Sequence, residues 1–160
     1  MMPNWCSNDV SITHKNPEMI KKVISGADNG KLFEEMVPIG EWDYGTAIEK
    51  WGTKWDVTDA ETYSGDENSV NMYFMTAWGP PITFYEALTE MGFEVEATYS
   101  EEGMLFVGKY TSEDGDESYE LDFSDENWRD EIDDSDVMDI AEEMYESYVE
   151  FNLEEDEETT

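Results

Sequence analysis

The chain has 160 residues and a formal charge of −34, with 42 Asp and Glu against 8 Lys and Arg. That balance excludes direct binding of a phosphate backbone, which needs clustered Lys and Arg, and disfavours docking on anionic lipid. Aromatic residues are 14% and apolar residues 39% of the chain, too rich for a disordered acidic tract and enough for the core of one domain.

One cysteine, Cys6, excludes an intramolecular disulfide and fits a reducing cytoplasm. No basic region followed by an apolar stretch opens the sequence, and no apolar run approaches the roughly 20 residues that span a bilayer. The expectation is a soluble cytoplasmic protein. The charge is unevenly spread: residues 1–112 hold 19 acids and 7 bases, whereas residues 113–160 hold 23 acids and only Arg129. A soft boundary is therefore placed near Ser112 to Asp125, dividing a body (1–112) from an acidic extension (113–160).

Cys6, Asn8, Val10 and Ile12 alternate with mostly polar neighbours, the period of a half-buried strand. Asn16-Pro17-Glu18 predicts a helix start, with Met19, Ile20, Val23 and Ile24 as the apolar stripe and Gly26 as the stop. Residues from Gly30 to Trp55 read as an irregular insert, with a short helix over Tyr44 to Trp51. Trp55 to Tyr63 and Ser69 to Thr76 read as two strands around a Ser64–Asn68 turn. Pro80-Pro81 opens a helix with Ile82, Tyr85, Leu88 and Met91 on one side, ending at Gly92. Phe93, Val95 and Ala97 begin a strand, Met104 to Tyr110 form the next, and Tyr119, Leu121 and Phe123 a third after Glu113-Asp114-Gly115.

This order predicts an α+β fold of the ferredoxin-like, split βαβ type, an antiparallel sheet with its helices on one face. The acidic extension continues as a strand and then a helix. Ser135 is the expected cap, Asp136 lies in the first turn, and Val137, Ile140, Ala141, Met144, Tyr148 and Phe151 form the apolar stripe. The run Glu154 to Glu158 is expected to fray into solvent.

Four stretches carry a family resemblance: Met2-Pro3-Asn4-Trp5-Cys6-Ser7-Asn8, Trp51-Gly52-Thr53-Lys54-Trp55-Asp56, Thr76-Ala77-Trp78-Gly79-Pro80-Pro81, and Gly103-Met104 with Gly108-Lys109-Tyr110. Together, over roughly residues 2–112, they resemble the YubB-type ferredoxin-like domain family of phages and plasmids. The resemblance implies a ferredoxin-like fold and a mobile-element origin, and it brings no catalytic residues with it.

Little in the sequence points to catalysis. His14, the only histidine, sits at a strand end without a triad signature and is expected at the surface. Cys6 is expected to be a small core residue rather than a nucleophile. One Cys and one His exclude the usual zinc site. An EF-hand loop needs an acid five residues before its glycine, but Gly115, Gly65 and Gly45 are preceded there by Tyr110, Ala60 and Gly40. Weak divalent-cation binding along Asp114 to Asp136 stays open. No phosphate-binding glycine pattern is present. The chain is expected to be non-enzymatic, without cofactor or structural metal.

Trp51, Trp55 and Trp78, with Trp5, support two readings. They fill a core between sheet and insert, or they form an exposed aromatic patch of the kind enriched at interfaces. Stacking of single-stranded nucleic acid on them is opposed by the overall charge.

The acidic extension has a measurable charge density. From Asp136 to Glu158, 11 acids fall within 22 residue steps, which as helix is about 33 Å, or one charge per roughly 3 Å. One strand of a DNA duplex carries one per about 3.4 Å. Asp139, Glu143, Glu146 and Glu150 make a single negative stripe, and like-charge neighbours on that helix cost about 1–3 kcal/mol before screening. About 2–8 units of net charge normally suffice for solubility, so the excess calls for a use or a salty environment. Three functions fit. One is a nucleic-acid-mimicking inhibitor occupying the basic groove of a host nucleic-acid-binding defence protein, with Asp125, Glu126, Asp130, Asp133, Asp134, Asp139, Glu142, Glu143, Glu146 and Glu150 as phosphate surrogates. The second is a general interaction module whose acids only solubilise it, and the third is halophilic adaptation. The mimic is the leading expectation.

Overall fold

The alternation of Cys6, Asn8, Val10 and Ile12 with Ser7, Asp9 and Ser11 produces β1 (Trp5–Thr13), which turns the first set fully into the core. The computed structural model describes residues 4–159, with side chains through Leu153; Met2 and Pro3 of the first motif lie outside the described residues. Asn16 caps α1 (Pro17–Asp28) by accepting from the Glu18 N–H at 3.1 Å. The helix does not stop at Gly26, as its sequence suggests. Gly26 lies inside it, buried, because a Cβ there would come within 2.9 Å of the Glu35 Cβ on α2 (Leu32–Met36).

That second helix is absent from the sequence reading. Its first N–H groups, from Phe33 and Glu34, donate to the Asp56 carboxylate at 2.8 and 2.9 Å, so its cap comes from more than twenty residues away. Asp56 also accepts from the Val57 N–H, and Val57 is buried. Residues 55–60 therefore form a loop that plugs the insert rather than the expected start of a strand. In α3 (Tyr44–Trp51), expected from sequence, Asp43 is the cap and Gly52 takes the left-handed conformation that ends it.

The following strands are β2 (Glu61–Asp66) and β3 (Ser69–Ala77), so the turn is confined to Glu67 and Asn68. Next come α4 (Ile82–Glu90), then β4 (Glu94–Glu101), β5 (Phe106–Thr111) and β6 (Gly115–Glu120), and finally α5 (Ser135–Thr159). All six strands form one antiparallel sheet in the order β2-β3-β1-β4-β5-β6. The portion β1-α1-β2-β3-α4-β4, with spatial order β2-β3-β1-β4, is the split βαβ arrangement of a ferredoxin-like fold. The strands β5 and β6 extend it, and the shift in charge composition near Ser112 falls at the turn between them. Both edges of the sheet are acidic. Every residue of β2 is exposed, with a bulge at Thr62/Ser64, and β6 carries Asp116, Glu117 and Glu120.

On the first face of the sheet, α1 to α4 cover a continuous core that includes Val10, Ile12, Phe33, Phe74, Phe84 and Leu88. Phe33 sits at its centre, with ring centroids 4.3 Å from Phe84, 5.7 Å from Trp51 and 6.0 Å from Phe74. A satisfied polar network crosses it: Tyr85 donates to Asn8 at 2.8 Å, and Asn8 donates to Thr76 at 2.9 Å. The expectation that helices occupy one face holds for these four. The fifth lies on the other face, since Val107 packs with α5 whereas Tyr110, three residues along β5, packs in the first core.

Candidate functional site

The second face of the sheet is polar on most of its strands. Ser7, Asp9 and Ser11 of β1, Asn71 and Tyr73 of β3, and Glu96, Thr98 and Ser100 of β4 all point to it. Only its β5–β6 side has an apolar cover. There Val107, Leu121, Phe123, Trp128 and Ile132 pack under Val137, Ala141 and Met144 of α5. Leu121 and Phe123, expected within a strand, follow β6 and drop into this smaller core. Phe123 meets the rings of Trp128, Tyr145 and Tyr148 at 5.1–5.4 Å. The apolar stripe expected along α5 is thus used from Val137 through Tyr148, whereas Phe151 stands 59% exposed beyond it. The frayed end expected over Glu154 to Glu158 lies outside the described side chains.

Lys109 on β5 fastens the start of α5 to the sheet. Its Nζ reaches Glu96 at 3.1 Å, Asp134 at 3.2 Å and Asp136 at 3.1 Å. Burial works against the ammonium, but hydrogen bonds to Glu96, Asp136 and Asp134 outweigh it and hold its pKa above the ordinary lysine value. Asp134, rather than the expected Ser135, caps the helix by accepting from the N–H groups of Asp136 and Val137 at 2.9 and 3.1 Å. Burial raises its carboxyl pKa, yet the Val137 N–H and Lys109 together bring it below the usual range. A second clamp joins Arg129 to Glu142; the guanidinium also lies 4.2 Å over the Trp128 ring and 5.0 Å over that of Tyr145.

These clamps divide the ten carboxylates singled out from sequence. Asp134 and Glu142 are spent on Lys109 and Arg129 within the molecule. The other eight, Asp125, Glu126, Asp130, Asp133, Asp139, Glu143, Glu146 and Glu150, are solvent-exposed. The last four lie on the side of α5 turned away from its core, within three turns of helix. The first four lie on the chain that leads into it.

Beside α5, the uncovered part of the second face becomes a trough with two adjoining hollows of about 370 and 310 Å3. Its acids include Asp9, Asp136, Asp139 and Glu143. Asp9 and Asp136 were missed as site residues from sequence. The signal for Asp9 was its outward place in the alternation of β1.

The tryptophans separate into two groups. Trp51 is buried and donates to the Val37 carbonyl at 2.9 Å, as the core reading expects. Trp5, Trp55 and Trp78 are 41%, 38% and 49% exposed, with Trp5 and Trp55 in contact at 6.1 Å and the Lys54 ammonium 4.5 Å over Trp55. His14 is a link: it accepts from the Asn16 N–H at 3.0 Å, bonds the Met91 carbonyl at 3.1 Å and packs on Phe93. Cys6 is fully buried, which pushes its thiol up to about 12. Among the described residues, no group of three or more His, Cys, Asp or Glu side chains is arranged to hold a metal ion, and no helix is long and apolar enough to cross a membrane.

Sheet order and connectivity thus define a ferredoxin-like α+β protein with a helix added on the second face. The chain belongs to the family described as the ferredoxin-like domain in Api92-like protein, whose model matches residues 50–145. That match begins at the end of α3 and reaches into α5, so it takes in β6 and the second core as well as three of the four recognised stretches. A crystal structure of protein api92 from Yersinia pseudotuberculosis is similar at 16% identity and a TM-score of 0.38, over 59% of this chain and 34% of that one. The chain therefore corresponds to about a third of that protein's length. No curated protein matches.

Proposed function

We propose that this protein is a non-catalytic accessory protein of a phage or plasmid that inhibits a host nucleic-acid-binding defence protein by presenting carboxylates to its basic groove. The observation that supports this most is the outward side of α5. Asp139, Glu143, Glu146 and Glu150 are exposed there within about 17 Å of helix, on a rod 25 residues and about 37 Å long. Lys109 holds the start of that rod on the sheet and Arg129 ties it to the segment that precedes it, so the helix need not be ordered on binding. Opposed fields would speed encounter, and release of ions from both surfaces would favour the complex, with both effects weakening as salt rises.

Competition is the test. The intact chain is titrated against basic nucleic-acid-binding complexes pre-loaded with a duplex, at 50 and 300 mM salt. Displacement that weakens at least tenfold at the higher salt supports the reading. Glu143→Gln, Glu146→Gln and Glu150→Gln together should weaken it further. A tight complex indifferent to salt and to these substitutions would overturn it. Truncation at residue 113 is a poor substitute, because it removes β6 and uncovers Val107.

A general interaction module is the second reading, favoured by the exposed Trp5, Trp55 and Trp78. It predicts the opposite sensitivity: binding lost with Trp55→Ala and Trp78→Ala, and retained with the carboxamide substitutions.

A further inference from the structure

We propose that the trough between α5 and the sheet binds an extended, arginine- or lysine-bearing segment of a partner protein. Its shape argues for an extended chain. The floor runs along β1 from Ser11 to Ser7, about 13 Å at strand rise, and the wall runs antiparallel to it along α5 from Asp136 to Ser147, about 17 Å at helix rise. Four or five residues of extended peptide have that length.

Its chemistry argues for cations. Small hydroxyl side chains, Ser7, Ser11, Thr98 and Ser100, give the floor depth and accept hydrogen bonds. Asp9 stands among them, and Asp139 and Glu143 face it from the wall. Asp9 accepts from the Tyr63 hydroxyl at 2.6 Å, which fixes the carboxylate at the rim and leaves lone pairs for a second donor. Tyr73, whose hydroxyl donates to Ser7 at 3.1 Å, is exposed beside the floor and offers its ring to a guanidinium. Among the described residues no Lys or Arg lines the two hollows; Lys109 lies behind the second and already pairs with its Glu96 and Asp136, which leaves Asp9, Asp139 and Glu143 to meet a partner's cations. Both floor strands are paired on each side, so backbone pairing by a partner is unavailable and side chains must do the reading.

This inference shares Asp139 and Glu143 with the mimic reading but is separable from it, because Asp9 and the floor strands belong to the trough alone and Glu146 and Glu150 to the outward side of α5 alone. The experiment uses the intact chain and blocked hexa-arginine and hexa-lysine peptides, with a Gly-Ser hexapeptide as control, followed by calorimetry and amide-shift mapping at 50 mM salt. Basic peptides should bind and shift β1, β4 and the inner side of α5, whereas the Gly-Ser control should not bind. Asp9→Asn should weaken binding about five- to tenfold. Thr98→Arg, which places the protein's own guanidinium in the trough, should weaken it more. Glu146→Gln with Glu150→Gln should change it less than twofold. A melting temperature within a few degrees of the parent qualifies each variant, and Ser11→Arg replaces Thr98→Arg if that variant does not fold. No binding by the basic peptides, or weakening by the outward pair as large as by the floor variants, would overturn the proposal. The second result would leave the mimic reading standing.

Discussion

The two faces of this one sheet were built by different rules. The first is closed by four helices over a core in which Phe33, Phe74, Phe84, Tyr85 and Leu88 are all almost completely buried. The second is half covered, and its single helix is held by a smaller core and by two cation–carboxylate clamps. Charge is cheap where water still reaches it and costly inside, so the acids collect on the half-covered face. Packing and charge are thereby unevenly divided: the first face carries the larger core, and the second a smaller core beside the denser run of carboxylates.

The largest break in this comparison should come from the first face. Phe33→Ala removes a ring that touches three others and should cost about 3–5 kcal/mol, read as a lower urea midpoint for the whole molecule. On the second face, Met144→Ala should cost about 2–3 kcal/mol, because the site lies nearer the surface. Its amide-exchange signature should differ, with protection lost along α5 first and β1 unaffected. Lys109→Met leaves Glu96, Asp134 and Asp136 without their shared cation and should cost about 1–2 kcal/mol at low salt, shrinking as salt is added.

The smallest effect is the most specific. The Asp134 carboxyl is held below its unfolded value, so its contribution is complete above about pH 4 and is lost as the pH falls through the folded value. Asp134→Asn should therefore be less stable than the parent by about 0.5–1 kcal/mol at pH 7, with the gap narrowing as the pH falls below the ordinary carboxylate range. A gap that persisted at pH 2 would mean that the cap depends on shape rather than charge.

Much of the ferredoxin-like part was legible because its signals are local. The alternation in β1, the Asn16-Pro17 helix start and the Gly92 stop each act within a few residues. The misread elements depend on distant partners. The helix α2 is five residues long and borrows its cap from Asp56, residues 55–60 are held by that same carboxylate, and Gly26 is required by close packing on α2 rather than by a helix end. The acidic stripe of α5 was legible from spacing alone. Which face of the sheet α5 would cover was not, and the trough depends on that placement. Asp134 and Glu142 were indistinguishable from their neighbours until the fold brought Lys109 and Arg129 to them.

The two outer strands carry a consequence for how the protein behaves at high concentration. An edge strand presents unpaired N–H and C=O groups, a template on which further chains can grow. Here β2 is bulged and bears Glu61 and Asp66, while β6 bears Asp116, Glu117 and Glu120. A second molecule aligning with either rim would set carboxylates against carboxylates in the position where cross-strand neighbours lie about 5 Å apart. Fibre growth is thus opposed at both ends of the sheet by the same residue types that give the molecule its field.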